Sequence, residues 1–93
     1  MIRSFHDKDT ERMFYRRRAR KIPFEIHRRA KMKLNLIDAA SSLNDLKVPP
    51  GNRLEQLSGD RAGQWSIRIN QQWRVCFEWH EGDAYNVEIV DYH

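Results

Sequence analysis

Apolar and polar residues alternate through residues 64–79 with hardly a break. The first apolar row consists of Trp65, Ile67 and Ile69, and the second of Trp73, Val75, Phe77 and Trp79. A period of two in β-branched and aromatic residues indicates half-buried strands, and the polar link at 70–72 predicts a hairpin. The link contains no glycine, and Asn70 could supply a positive φ there. One face of this hairpin therefore meets a core, while the other carries Arg68 and Arg74.

Two helices are predicted before the hairpin. Asp7 or Asp9 can cap the first, which we expect over residues 8–18, and Pro23 separates it from the second because proline cannot continue helical hydrogen bonding. The second helix is predicted from about Phe24 to Ala40. Its recurring apolar positions are Ile26, Ala30, Leu34 and Ile37. That spacing forms one apolar face, which is typical of a helix that lies on a sheet.

Three further segments are predicted as strands. Residues 1–5 are a short candidate with Ile2 and Phe5 facing inward, and residues 53–57 form a strand with imperfect alternation. The last strand follows a turn that contains a glycine and runs from Tyr85 to Val90. On this strand we expect one face to carry Tyr85, Val87 and Ile89.

The order of these elements predicts an α+β fold in a single domain of 93 residues. We expect the N-terminal strand and the two helices to pack on one face of a mainly antiparallel sheet of about four to five strands. The other face, with Arg68 and Arg74, is left open. An uncovered polar face on a basic domain is a candidate binding surface.

Composition and charge narrow the classes of partner that this protein is expected to bind. The formal net charge is +4 and the pI is about 9.6, which favours a polyanionic or acidic partner. The arginines are clustered, so we expect contact with nucleic acid or a ribonucleoprotein. The candidate RNA-binding residues are Arg16, Arg17, Arg18, Arg20, Lys21, Arg28, Arg29, Arg53, Arg61 and Arg68.

Little in the sequence supports a disulfide, a metal or cofactor site, or a membrane segment. Cys76 is the single cysteine, so an intramolecular disulfide is excluded, and we interpret it as a packing residue of a strand. The histidines lack metal-ligand spacing, and we expect no metal and no cofactor. No long apolar stretch is present, so we expect a cytoplasmic protein that does not interact with a membrane.

Three motifs in this chain resemble those of a known family. They are the Leu-x-Gly-Asp-Arg-x-Gly-x-Trp-Ser-Ile segment from Leu57 to Ile67, the pair Trp73-Arg74, and the terminal Asp91-Tyr92-His93. Together with the opening Met1 to Phe5, they make the whole chain similar to HigB-type toxins of the RelE/ParE superfamily of bacterial toxin–antitoxin modules.

The resemblance implies a fold, an activity and partners. The fold is RelE/ParE-like, with helices against a curved sheet that has an open basic face. The implied activity is ribosome-dependent cleavage of mRNA in the A site, which inhibits translation. The implied partners are the ribosome, mRNA and a HigA-type helix-turn-helix antitoxin, through which alone the toxin would reach operator DNA.

RNA cleavage of this type uses the 2′-hydroxyl of the substrate as nucleophile, so it needs a base, a cation and an acid. Arg74 suits the cation, because a guanidinium stays charged and binds phosphate with two donors. His93 is a plausible acid or base. Tyr92 could stack on a base or share proton transfer, and Asp91 could orient a neighbour. Glu55 completes the set of candidate catalytic residues, which are Arg74, His93, Tyr92, Asp91 and Glu55.

Two positions depart from the family pattern. Many HigB-type toxins carry a histidine where this chain has Glu55, and a lysine where it has Ser58. Losing one proton-transfer group typically costs about 10²–10⁴-fold in rate. Either Glu55 and His93 take over the proton transfer, or the toxin is slow, or the chain keeps the fold and binds its antitoxin without cleaving RNA. A ParE-like inhibitor of DNA gyrase that acts by binding is a further alternative.

Overall fold

A computed structural model describes residues 1–92. The two α-helices are α1, Lys8–Phe14, and α2, His27–Ala39. The four strands are β1, Glu55–Gln56; β2, Gln64–Arg68; β3, Trp73–His80; and β4, Asp83–Asp91. They form one antiparallel sheet in the order β1-β2-β3-β4, with both helices on one face. The predicted α+β fold is confirmed.

The predicted N-terminal strand is present as two isolated bridges. Ile2 pairs with Ala84 and Phe5 with Val87, both parallel to β4. Ile2 and Phe5 pack against the core, as expected. The first residues therefore extend the sheet beyond β4 without forming a regular ladder.

Helix α1 is shorter than the predicted 8–18. Asp7 caps its start by accepting a hydrogen bond of 2.6 Å from the Thr10 N–H. Its end is a left-handed turn at Arg16, with φ of 58°, in which the Arg17 N–H reaches back to the Arg12 carbonyl. This is the usual closure of a helix end, but glycine normally occupies that position, so an arginine there does not reveal it. Most of the arginine run therefore lies outside the helix.

Helix α2 confirms the prediction from periodicity. A 3₁₀ turn at Phe24–Ile26 leads into it, and Ala40 ends it in an extended conformation. Its buried face consists of Ala30, Leu34 and Ile37, and all three side chains are inaccessible to solvent. Across from them lie the buried residues of the sheet: Ile67, Val75, Phe77, Ala84, Val87 and Ile89. No helix in residues 1–92 is both long and apolar enough to cross a membrane.

The hairpin of β2 and β3 forms as predicted, but its turn differs. Asn70 is not among the residues with positive φ. Instead, its side-chain oxygen accepts hydrogen bonds of 2.8 Å from the N–H groups of Gln72 and Trp73. An asparagine side chain can replace a backbone turn in this way, so no glycine is needed.

Two strand predictions require correction. The strand expected at 53–57 is reduced to β1, because Arg53 takes a left-handed φ of 45°. In β4, Asn86 at φ of 52° is an extra residue: Cys76 pairs with Glu88, but Glu78 pairs with Tyr85. This bulge shifts the alternation by one residue, so Tyr85 shares the face of Glu78 rather than that of Val87 and Ile89.

Thr10 ties α1 to the free edge of β4. Its side chain is 1% exposed, and its hydroxyl accepts a hydrogen bond of 3.1 Å from the Ile89 N–H. An edge N–H that loses such a partner inside the core stays unsatisfied, which costs about 1–3 kcal/mol.

We therefore expect Thr10→Val to lower the free energy of unfolding by about 1–3 kcal/mol, since valine has the same shape but no acceptor. Thr10→Ser, which keeps the hydroxyl, should lose less. Urea unfolding followed by tryptophan fluorescence measures both. Equal losses in the two variants would mean that the hydrogen bond to Ile89 contributes nothing.

Candidate active site

A row of polar side chains crosses the sheet on the face away from the helices. The strand register places Glu55 opposite Ser66, Ser66 opposite Cys76, and Cys76 opposite Glu88. Paired residues share a face, so these four residues, one from each strand, form one line. Ser66 and Cys76 are fully buried in that line, and the outer strands place a carboxylate at each end.

Arg74 lies beside this row on β3. Its Nη1 donates hydrogen bonds of 2.8 Å to Ser66 Oγ and 3.4 Å to the Arg53 carbonyl, and its Nη2 donates one of 2.8 Å to Glu55 Oε1. The Arg74 side chain is 14% exposed, whereas that of Glu55 is 55% exposed. The guanidinium is thus fixed from below by the sheet, and its anionic partner is on the solvent side.

Tyr92 follows β4 and covers the centre of the row. The carbon of the Arg74 guanidinium lies 5.7 Å from the centre of the Tyr92 ring. Its hydroxyl lies close enough to the Cys76 thiol for each group to influence the pKa of the other. Burial, followed by the proximity of Cys76, raises the pKa of Tyr92 above its ordinary value, so the phenol stays protonated.

A second arginine reaches the row from the turn before β2. Arg61 Nη1 donates hydrogen bonds of 3.0 Å to Gln64 Oε1 and 3.1 Å to Glu88 Oε1. Burial opposes the charge of Arg61, but the hydrogen bond and the charge of Glu88 outweigh it, so the net pKa of Arg61 is raised. On its other oxygen, Glu88 lies 3.8 Å from His6 Nε2.

These groups surround a shallow pocket of about 280 Å³. Its lining residues are Glu55, Gln56, Leu57, Ser58, Asp60, Arg61 and Tyr92. The pocket therefore brings together a carboxylate, a guanidinium and a phenol, and Arg74 contacts two of its walls through Glu55 and Tyr92.

The structure gathers three of the five predicted catalytic residues, namely Glu55, Arg74 and Tyr92. The fourth, Asp91, lies at the end of β4, where its Oδ1 accepts a hydrogen bond of 3.1 Å from Gln72 Nε2. The fifth, His93, lies outside the described residues.

The predicted RNA-binding residues fall into two groups. Arg53, Arg61 and Arg68 are near the open face: the Arg53 carbonyl accepts from Arg74, and Arg68 Nε donates to the Asn70 carbonyl at 3.0 Å. The others are exposed on the helical side of the molecule: Arg16, Arg17, Arg18, Arg20, Lys21, Arg28 and Arg29. Arg16, Arg17 and Arg28 share one groove there. These exposed residues form the helical basic patch, which meets the open-face group where Arg29 and Arg68 line one groove.

Sequence reasoning did not find Ser66, Gln64, Glu88 or His6 as members of the site. Ser66 and Glu88 could have been found from strand register, because each is paired with Cys76. The bulge at Asn86 shifts that register by one, and no glycine marks it in the sequence.

Comparisons with known proteins agree on one group. The profile of a family described as RelE-like toxin of type II toxin-antitoxin system HigB matches residues 3–93. Over 91 residues, the chain is 44% identical to Toxin HigB-1 of Vibrio cholerae, covering 96% of this chain and 95% of that protein. It is 34% identical over 93 residues to Endoribonuclease HigB of Proteus vulgaris, with 100% of both chains covered.

Solved structures of more distant sequence share the fold. A mutant of YafQ from E. coli superposes with a TM-score of 0.63 at 12% identity, covering 98% of this chain and 91% of that one. The YoeB–YefM complex from Staphylococcus aureus contains a chain with a TM-score of 0.61 at 17% identity, covering 100% of this chain and 98% of that one.

Cys76 provides a chemical test of the geometry of this face. Its thiol is buried, and burial raises its pKa above the ordinary range, although Arg61 opposes the effect. A higher pKa leaves less thiolate at a given pH, and the thiolate is the reactive form.

We therefore expect iodoacetamide at pH 8.5 to modify Cys76 far more slowly in the folded protein than in urea. Tyr92→Ala should speed the reaction, because it uncovers the thiol. Mass spectrometry over time measures both rates. A folded wild-type protein that reacts as fast as the unfolded chain would contradict the described packing of Cys76.

Proposed function

Because this chain belongs to the HigB family of RelE-like toxins from type II toxin–antitoxin systems, we propose that it is an endoribonuclease that cleaves mRNA in the ribosomal A site and thereby inhibits translation. One relative in this family carries the name endoribonuclease. The observation that carries the proposal is Arg74, a cation fixed on a strand between Ser66, Glu55 and Tyr92. The open face supplies the room for an RNA strand.

In the proposed reaction, the 2′-hydroxyl of the substrate attacks the adjacent phosphorus. A bond from O2′ to phosphorus forms and the bond from phosphorus to O5′ breaks, which gives a 2′,3′-cyclic phosphate and a 5′-hydroxyl. The proton of the 2′-hydroxyl goes to a base, and the departing O5′ receives a proton from an acid. The phosphoryl oxygens gain negative charge in the transition state, so a fixed cation near them lowers the barrier.

We assign to Arg74 the stabilisation of that negative charge on the phosphoryl oxygens. Its donors are held by Ser66 and the Arg53 carbonyl, which removes the need to order a long side chain during the reaction. Glu55 is assigned to the base, because its carboxylate is exposed and lies 2.8 Å from the Arg74 guanidinium, next to the position of the phosphate. Tyr92, whose pKa is raised, is assigned as a proton donor or as a stacking surface for a base. His93 remains a candidate acid and Asp91 a candidate orienting residue.

The partners follow from the family. A toxin of a type II system has an antitoxin, and one structural neighbour was solved as a toxin–antitoxin complex. We propose a HigA-type helix-turn-helix antitoxin, with operator DNA reached through it. The ribosome would supply much of the positioning of the mRNA, and the helical basic patch would contact ribosomal RNA phosphates. This assignment places the protein in the cytoplasm.

We expect Arg74→Ala to lower the rate of mRNA cleavage on programmed ribosomes by about 10²–10³-fold, because the transition-state charge loses its fixed donor. Primer extension on ribosomes with a defined A-site codon measures the rate. Arg12→Ala is the matched control, since it removes an exposed arginine of α1 that lies outside the site.

A variant Arg74→Ala that cleaves as fast as wild type would remove Arg74 from the mechanism. Inhibition of gyrase supercoiling by the wild-type protein, without RNA breaks, would replace the endoribonuclease with a ParE-like inhibitor. A wild-type protein that neither cleaves mRNA nor slows growth at any expression level would leave an antitoxin-binding domain.

Glu55→Gln distinguishes a base from a counter-ion. Glutamine keeps the size and can still accept a hydrogen bond from Arg74, but it cannot take a proton at neutral pH. We expect kcat to fall by about 10²–10⁴-fold with KM little changed. Glu78→Gln removes the same charge from the same face, outside the pocket, and serves as the control. An unchanged kcat with a lower KM would show that Glu55 only competes with phosphate for Arg74.

A further inference from the structure

We propose that Arg61 is a second phosphate-binding arginine of this site and that Glu88 is the residue that positions it, an inference that rests on the proposed cleavage of RNA. Arg74 would receive the scissile phosphate, and Arg61 a neighbouring phosphate of the same strand. Glu88, together with Gln64, would hold the guanidinium of Arg61 toward the pocket.

Within residues 1–92, the side-chain hydrogen bonds of Arg61 are all made by one nitrogen. Nη1 serves both Glu88 and Gln64, whereas Nε and Nη2 have no partner within residues 1–92. Nε and Nη2 lie on one edge of a planar guanidinium, and that edge matches the two oxygens of a phosphate. Arg74 differs from this arrangement, because both of its terminal nitrogens are engaged.

Arg61 also differs in position from an arginine whose ion pair is purely structural. Arg3 binds Asp83 at 3.0 Å and thereby holds the N-terminal residues beside β4, and neither residue lines the pocket at Tyr92. Arg61 instead lines the pocket that Tyr92 and Glu55 also line. Its side chain is 32% exposed, so it is accessible to a ligand, while Glu88 behind it is 21% exposed.

Tyr92 links the two arginines. Its ring lies over the Arg74 guanidinium, and it shares the pocket wall with Arg61. An RNA strand that passes over Tyr92 would therefore meet one cation on the sheet and another in the turn before β2. Two cations beside Tyr92 would each contact a different phosphate of the same strand.

The carboxylates around the pocket do not prevent a phosphate from binding at Arg61. Glu55 is paired with Arg74, and Glu88 is paired with Arg61. Asp60 is exposed at the rim of the pocket, where water screens it. A phosphate at Arg61 would approach the unpartnered edge of the guanidinium, away from the Nη1 that Glu88 occupies.

The test combines Arg61→Gln with mRNAs that carry a single neutral methylphosphonate at successive linkages around the cleavage site. If Arg61 binds a particular phosphate, neutralising that phosphate should cost the wild type about 10- to 100-fold in KM, and should cost the variant much less. Coupling at one linkage next to the scissile bond supports the proposal. Additive effects at every linkage would overturn it.

Glu88 is tested by the split between KM and kcat. We expect Glu88→Ala to raise KM about 10-fold with kcat nearly unchanged, and to reduce the coupling to the methylphosphonate. Glu88→Gln, which can still accept the hydrogen bond of Arg61, should restore most of the affinity. Glu78→Gln is again the matched control, because its carboxylate bonds Asn86 and His80 rather than Arg61.

Two outcomes keep this inference separate from the proposed function. If Arg74→Ala abolishes cleavage but the Arg61 variants behave as wild type at every linkage, the endoribonuclease stands and the second phosphate site is wrong. If Glu88→Ala lowers the melting temperature and kcat together, and Glu88→Gln does not restore KM, Glu88 is a folding residue and not a positioning one. Arg61→Lys, which keeps the charge but not the planar edge, checks the geometry when Arg61→Gln unfolds.

Discussion

The pairing of β2 with β3 is the constraint on which the rest of this structure depends. Ile67 opposite Val75 fixes the register, and both side chains are fully buried against the helices. A slip of one residue would turn every side chain of a strand to the opposite face. The core would then lose its apolar layer, and Arg74 would be placed in it. The energy that holds the core together therefore also fixes the arginine on the open side, and the precision of the site derives from burial on the other side of the same strands.

The open face is stable because its charges compensate one another. Arg74 is matched by Glu55, and Arg61 by Glu88, while the neutral Ser66 and Cys76 lie between these pairs. Within residues 1–92, no buried polar side-chain atom lacks a hydrogen-bond partner. Partial burial of a guanidinium without such partners would be costly. The carboxylates thus permit two arginines to be held rigidly on a small domain whose net charge is already positive.

Features that repeat along the chain could be predicted from the sequence, and features that depend on one unusual backbone angle could not. The alternation in β2 and β3 and the apolar face of α2 follow from periods of 2 and 3.6 residues. The end of α1 at Arg16 and the bulge at Asn86 place ordinary side chains at positive φ, which tertiary packing imposes.

The residues of the candidate site divide in the same way. Arg74 follows from the alternation, whereas the contacts of Glu88 with Arg61 and His6 join residues 27 and 82 positions apart and need the folded sheet. Position 58 holds a serine where the family resemblance implies a lysine, yet Ser58 lines the same pocket as Arg61.

In the proposed mechanism, the ion pair between Arg74 and Glu55 would couple substrate binding to base chemistry. Nη1 of Arg74 bonds Ser66 and the Arg53 carbonyl, and Nη2 bonds Glu55, so a phosphate that takes the place of Glu55 on Nη2 would displace its carboxylate. Glu55 is 55% exposed, so water solvates the displaced carboxylate and offsets part of the lost ion pair. One anion would replace another on the same guanidinium, and the hydrogen bond to Ser66 would keep the arginine in place meanwhile. In the proposed mechanism, the displaced carboxylate would be released beside the bound phosphate and could accept the proton of the adjacent 2′-hydroxyl. A histidine at this position would carry no negative charge to pair with Arg74, whereas a glutamate base would be freed by the binding of the substrate.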